Sequence, residues 1–118
     1  MKTYFAQHVL LLLTRHKLEH RVIKLTEVKL ARGSYADRAV YAPHVTDALT
    51  YAVALHEIGH FVVASRRGTL LDEAMVWAWV RDAAILWTPQ FDSLVAYCLK
   101  HYAEQEFIDP RISALFDN

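Results

Sequence analysis

The sequence predicts an α+β domain in which a small antiparallel sheet, or a single hairpin, packs against about four helices. Two observations support this: the hydrophobic period changes along the chain, and turn residues separate the segments. The predicted order is helix, strand, strand, helix, helix, helix. With 118 residues, 54% of them hydrophobic and 22% charged, the chain has the size and composition of one globular domain over residues 1–118.

The first half of the chain is predicted to contain one helix and both strands. Apolar residues recur at helical spacing over residues 3–18, which predicts an amphipathic helix. From Arg21 to Leu30 apolar and polar residues alternate, with β-branched types throughout, as is typical of a strand. Arg32-Gly33-Ser34 supplies a turn, after which Arg38 to Ala42 is expected to return as a second strand.

The second half is predicted to hold three helices. The first of these spans about residues 46–65, where polar residues at its start can serve as an N-cap. The next begins at Thr69, with Asp72 as the returning acid of a capping box, and continues to about Trp87. Pro89 then stands at the favoured first position of the last helix, which has a clear apolar stripe.

Net charge, hydrophobic runs and cysteine count predict which partners the protein has and in which compartment it works. The formal net charge is zero and the pI is about 7.1, whereas nucleic-acid binders usually have a strongly basic face. The apolar run from Val9 to Leu13 is too short for a signal-peptide core or a membrane span. The single cysteine, Cys98, suits a reducing compartment. We therefore expect a cytoplasmic protein without a nucleic-acid or membrane partner.

The most informative motif lies in the second predicted helix, where residues 56–60 read H-E-x-x-H. Because a helix has 3.6 residues per turn, His56 and His60 lie on one face and can direct imidazole nitrogens at one ion, as in zinc sites. Glu57 lies about 100° further round the helix and would flank the metal. A carboxylate in that position can accept a proton from zinc-bound water.

A catalytic zinc ion usually has three protein ligands, so a third ligand is needed. Glu73 is the preferred candidate, because the next helix folds back on the motif helix and brings its first turn near the histidines. Asp72 is the adjacent rival, although the capping box gives it a local role. Alternatively, Glu73 is an exposed first-turn acid favoured by the helix dipole. A close approach by a neighbouring element would explain Gly59 within the motif helix.

The segment Ala54 to His60, with a glutamate on the following helix, resembles the zincin metallopeptidases of the gluzincin kind. In size the chain is similar to minimal single-domain versions, such as ImmA/IrrE-type peptidases and small phage and prophage HExxH proteins. The resemblance covers roughly residues 38–87: a strand, the motif helix and the glutamate helix. It implies a minimal zincin-like fold with the HExxH motif on a central helix.

The resemblance also implies roles for individual residues. His56, His60 and Glu73 would bind one Zn²⁺ per chain, and Glu57 would be the general base of a peptidase. A peptide or protein substrate would pair as an added strand along Arg38–Ala42.

Several alternatives remain open from the sequence. Candidates by type for the donor that stabilises an oxyanion are Tyr41, His44 and His101, and His101 could replace the glutamate as third ligand. The chain could instead be a catalytically silent zinc-binding interaction module on the same fold. A metal-free helical protein with a coincidental motif is a third reading, and the oligomeric state is not predicted.

Overall fold

The computed structural model describes residues 2–63 and 69–103 and confirms the predicted α+β class. The helices are α1 (Lys2–Arg15), α2 (Ala48–Val62), α3 (Leu70–Ala83) and α4 (Pro89–Ala103), with a 3₁₀ helix at Leu25–Leu30. The strands are β1 (Glu19–Val22), β2 (Arg32–Ser34) and β3 (Ala39–Ala42). The motif helix α2 is central, because it contacts α1, α3, β2 and β3.

The sheet is mixed, with the strand order β1-β3-β2, so the predicted antiparallel sheet or hairpin is wrong for β1 and β3. β1 runs parallel to β3, with Glu19 opposite Ala39, whereas β2 and β3 form an antiparallel pair. The predicted strand from Arg21 to Leu30 is wrong beyond Val22. Residues 25–30 form the 3₁₀ helix instead, and none of them is buried. Their alternation therefore did not mark one buried face of a strand.

The position of β3 overturns a second expectation. The segment Arg38–Ala42 was expected to offer an edge to an extended substrate, but β3 (Ala39–Ala42) is the middle strand and is paired on both sides. Of the two outer strands, β2 (Arg32–Ser34) lies against α2. The residues expected to form a turn, Arg32-Gly33-Ser34, are therefore themselves a sheet edge.

Two helices are shorter than predicted because local backbone geometry ends them. After α1, Lys17 adopts a positive φ of 56°, and the amide of Leu18 donates to the carbonyl of Leu13 at 2.8 Å. These features are those of a left-handed C-terminal cap. After α3, Ala84 is extended, with ψ of 137°, so the helix does not reach Trp87. The described part of α4 begins at Pro89, as predicted.

Tyr51 ties α2 to the elements on both sides of it. Its ring is fully buried and stacks on Phe5 of α1, with 4.4 Å between centroids. Its hydroxyl lies 2.6 Å from Nδ1 of His8 and accepts a hydrogen bond of 3.0 Å from the amide of Ile85. Burial, aided by nearby Arg15, lowers the pKa of His8, so the neutral ring can accept the Tyr51 proton. The motif helix is thus held in a fixed position.

Among residues 2–63 and 69–103, no helix has both the length and the apolar character needed to cross a bilayer. The described core contains residues from all four α-helices and the sheet: Phe5, Val9, Leu12, Val40, Leu55, Ile58, Val76, Val80, Phe91 and Val95. This core supports α2 on one side and leaves the face bearing the two histidines partly open.

Candidate metal centre

The two motif histidines lie one turn apart on α2 and face the same way. The ring centroids of His56 and His60 are 4.7 Å apart, and each side chain is 18% exposed. The helix is positioned by Asp47, whose side chain accepts from the amide of Thr50 at 2.9 Å in a capping box. The prediction that residues 56 and 60 share one face is confirmed.

Gly59 allows α3 to approach the back of the motif helix. A Cβ atom at this position would lie 2.8 Å from Cγ1 of Val76 and 3.0 Å from Cε3 of Trp79. Both distances are shorter than ordinary van der Waals contact, so a larger residue would push α3 away. The expected reason for a mid-helix glycine, close approach of another element, is therefore confirmed.

Glu73, in the first turn of α3, reaches both histidines. Its Oε2 lies 2.8 Å from Nε2 of His56, and its Oε1 lies 3.4 Å from Nε2 of His60. Glu73 is only 6% exposed, so it is not the solvent-facing first-turn acid of the alternative reading. Asp72 is also buried, and its amide donates to the N-cap Oγ1 of Thr69 at 3.2 Å. The carboxylate between the imidazoles is that of Glu73.

Glu57 contacts the opposite edge of the His56 ring. Its Oε2 lies 3.0 Å from Nδ1 of His56, and the residue is 6% exposed. A carboxylate that accepts from the outer nitrogen of a metal-binding histidine fixes the tautomer and raises the basicity of the ring. Glu57 also lines a cavity beside the site. It therefore both orients His56 and faces space in which a substrate could lie.

Trp77 holds the plane of the His56 ring. The two rings stack with 4.4 Å between centroids and an angle of 14° between planes. Trp77 is almost completely buried, so this stack restricts rotation of the imidazole. His56 is thus fixed in orientation by the indole and by a carboxylate at each nitrogen.

The electrostatics of the site are dominated by two buried carboxylates around one imidazole. Burial alone would lower the pKa of His56, but its hydrogen bonds to Glu57 and Glu73 outweigh that effect and raise the pKa to about 9. At neutral pH the metal-free ring is therefore an imidazolium that balances buried negative charge. A divalent cation would supply the same balance.

The donor set fits a metal ion. The ligand atoms of the three motif residues His56, Glu57 and His60 all lie within 4.8 Å of one another, and Glu73 adds a fourth donor beside the two imidazoles. Two donors about 2.0–2.1 Å from a tetrahedral zinc ion are ~3.3 Å apart. The 3.4 Å between Glu73 Oε1 and His60 Nε2 is close to that value, whereas the 2.8 Å between Glu73 Oε2 and His56 Nε2 is a hydrogen bond that a bound ion would replace. Imidazole with carboxylate is also a donor chemistry that zinc accepts.

The other sequence candidates have different surroundings. The Tyr41 hydroxyl accepts from Arg21 at 2.6 Å and lies 3.3 Å from Asp37, on the sheet. The ring of His44 lies edge-on to that of His20. These contacts give no support to Tyr41 or His44 as the oxyanion donor, a role for which they were candidates by residue type only. His101 is in α4, but its side chain lies outside the described residues, so its two suggested roles stay predictions.

Sequence reasoning did not find the residues that surround the site from distant segments. The Tyr35 hydroxyl donates to the carbonyl of His60 at 2.7 Å, and Tyr97 and Cys98 line the cavity beside Glu57. Cys98 is of intermediate burial and lies on the apolar stripe of α4. Tyr35 and Tyr97 are off any periodic pattern, so no sequence signal marked them.

Comparison of the chain with models of known protein families, with curated proteins and with solved structures gives no match. The function must therefore be inferred from the geometry of the site.

Proposed function

We propose that the chain is a zinc-dependent hydrolase that cleaves a peptide bond, with the metal held by His56, His60 and Glu73. One observation carries this proposal: the Glu73 carboxylate lies 2.8 Å from His56 Nε2 and 3.4 Å from His60 Nε2. Two imidazoles and one carboxylate are the ligand set of several zinc peptidases, in which the fourth position is open to water.

In the proposed reaction, the bound metal ion would activate water and Glu57 would transfer the proton. A zinc ion bound at this site would act as a Lewis acid and lower the pKa of a water molecule towards 7. Oε2 of Glu57 accepts from His56 Nδ1. Its second oxygen, Oε1, is then available to take the proton from the attacking water. Glu57 next passes that proton to the leaving nitrogen, as a general acid.

The sheet suggests how an extended substrate could be held. β2 (Arg32–Ser34) is an outer strand, and it lies against α2 because Gly33 packs on Phe61. Ala31, directly before this strand, lines the cavity that also contains Glu57. A peptide added along β2 would therefore pass the general base. We therefore propose that a substrate would pair with β2 instead of with Arg38–Ala42.

We propose one Zn²⁺ per chain, a peptide or protein substrate and a reducing compartment such as the cytoplasm. The last point rests on cysteine usage, because Cys98 is the single cysteine and a free thiol.

A Glu57→Gln variant tests the proposal. The carboxamide oxygen of glutamine can still accept from His56 Nδ1, but it cannot take a proton from water. We expect full zinc content by elemental mass spectrometry and loss of peptide cleavage by about 100-fold or more. Glu19→Gln is the matched control, since Glu19 is in an exposed ion pair with Arg21 on the sheet. It should leave both measurements unchanged.

The same experiment separates the two readings of a zinc site. Cleavage that persists at the wild-type rate in Glu57→Gln would contradict the role of this carboxylate. Zinc binding without cleavage of any peptide by the wild type would favour the interaction module.

A further inference from the structure

A cavity of about 370 Å³ lies beside the candidate metal centre. The residues that line it come from the segment before β2 and from α2, α3 and α4. His56 and Glu57 form part of one wall, so whatever occupies the cavity lies next to the proposed reacting atoms.

Most of the remaining wall is apolar. Leu49 and Val53 lie on the same face of α2 as His56, at intervals of four and three residues, and Leu94 and Trp77 face them from α4 and α3. Leu49 is 50% exposed, although it belongs to a helix in the centre of the fold. An apolar group placed here would remove Leu49 and Val53 from water.

The size of the cavity limits what can enter. An apolar cavity of roughly 150 Å³ is sufficient to bind benzene, so a cavity of about 370 Å³ accepts a large side chain with part of its backbone. A whole helix, about 10–12 Å in diameter with its side chains, could not enter the cavity, so the entering group would be a single side chain.

We propose that this cavity is a specificity pocket for one aromatic or branched aliphatic side chain of the substrate, within one or two residues of the scissile bond. The inference rests on the proposed peptidase function. Its position follows from Glu57, which lines the cavity, and from Ala31, which connects the cavity to the outer strand β2. Successive side chains of a strand point to opposite faces, so only alternate substrate residues could enter.

The first test uses the full-length, zinc-loaded chain and short synthetic peptides of randomised sequence. Mass spectrometry of the new peptide ends gives the residues around each cut. We expect Phe, Tyr, Leu or Met to be enriched at one fixed position, with cleavage at least about 10-fold faster than for Ala there. Cuts without any such preference would overturn the pocket while leaving the peptidase function in place.

A second test compares a substitution that fills the cavity with the same substitution at an exposed position. Val53→Phe should place a ring in the cavity and shift the preference from large to small side chains. Val22→Phe makes the same change at an exposed position on β1 and should keep the wild-type preference. If Val53→Phe does not fold, Ala31→Phe fills the cavity from the strand side. An unchanged preference in a folded, filled variant would contradict the inference.

If no peptide is cleaved, that result counts against the proposed peptidase function. The pocket can then still be tested by a measurement that does not need cleavage. Cys98 lines the cavity and is the single cysteine, so its alkylation by iodoacetamide reports on the space beside it. N-acetyl-phenylalanine amide should slow this alkylation at least about twofold relative to N-acetyl-alanine amide. Equal rates with the two amides would exclude an apolar side-chain pocket.

Discussion

His56 is held between two carboxylates, and this arrangement determines how the site exchanges a proton for a metal ion. Since hydrogen bonds to Glu57 and Glu73 raise its pKa to about 9 despite burial, the metal-free ring is protonated near neutral pH. Zinc binds only the deprotonated imidazole. We therefore expect zinc binding at pH 7.5 to release about one proton from His56. Calorimetric titration in two buffers of different ionisation enthalpy measures this number, and no buffer dependence would contradict it.

The raised pKa of His56 also has a consequence for stability without metal. Because its pKa in the folded chain, about 9, is above the ordinary value of 6.5, the ion pairs stabilise the metal-free fold fully below pH 6.5. This contribution is lost as the pH rises through 9. Thermal unfolding of chelated protein should show a declining melting temperature over that range, and a His56→Gln variant should show a weaker decline.

Glu73 is the residue on which the metal assignment depends. Replacing it with glutamine keeps its volume but removes the charge between His56 and His60. We expect zinc affinity to fall by more than the roughly 10–100-fold that the loss of an outer partner costs. Asp72→Asn is the matched control on the adjacent, equally buried residue. Competition with a chromophoric chelator measures both variants, and a larger loss in Asp72→Asn would transfer the ligand role to Asp72.

At Gly59 we expect alanine to destabilise the helix, contrary to its usual helix propensity. Alanine is favoured over glycine in a helix by about 1 kcal/mol, but here its Cβ would lie 2.8 Å from Val76 and 3.0 Å from Trp79. Val76 is fully buried and short, so relief requires α3 to move. We expect Gly59→Ala to destabilise the fold by about 1–2 kcal/mol in urea unfolding. An increase in stability would show that the two helices can separate without cost.

At the residue level, the sequence was informative wherever a local rule connects residues close in the chain. Helical spacing correctly placed His56 and His60 on one face. The fold-back of the next helix correctly suggested that Glu73 is near them. No comparable sequence pattern predicts contacts between segments that are distant in the chain. The stack of Trp77 on His56 and the bond from Tyr35 to the carbonyl of His60 depend on tertiary packing alone.

At the scale of elements, the capping box at the start of α2 positions the helix that carries the candidate metal ligands. The Asp47 side chain accepts a hydrogen bond from the amide of Thr50. In return, the amide of Asp47 donates to Oγ1 of Thr50 at 3.1 Å. Removing this capping box with Asp47→Ala should cost about 1 kcal/mol of stability. Urea unfolding measures the change. Asp82→Ala, an exposed acid in the last turn of α3, should have little effect.

The elements also show why strands were harder to predict than helices. α2 and α4 begin at local signals, Asp47 and Pro89, that can be read directly from the sequence. The pairing of β1 with β3 is parallel and needs the whole connection over residues 23–38 to cross over. No local pattern specifies such a partner, and the segment most strand-like by alternation became a 3₁₀ helix. Strand pairing was therefore decided by tertiary structure.

At the scale of the whole molecule, the site lies between α2 and α3, two helices that also pack against each other at Gly59. α2 supplies His56, Glu57 and His60, and α3 supplies Glu73. A ligand that bridges these two helices stabilises the folded chain, because the unfolded chain does not hold the donors together.

If zinc binds at the proposed site, its removal should therefore lower the stability of the entire fold. At a free zinc concentration of about 100 times Kd, binding adds about 2.7 kcal/mol, which for a domain of this size raises the melting temperature by roughly 10 °C. EDTA should abolish that increase in the wild type and have no effect on a His60→Ala variant that has lost one ligand. Differential scanning calorimetry measures both. Equal melting temperatures with and without zinc in the wild type would leave the H-E-x-x-H pattern as a coincidence, because a bound ion that bridges α2 and α3 cannot leave the free energy of unfolding unchanged.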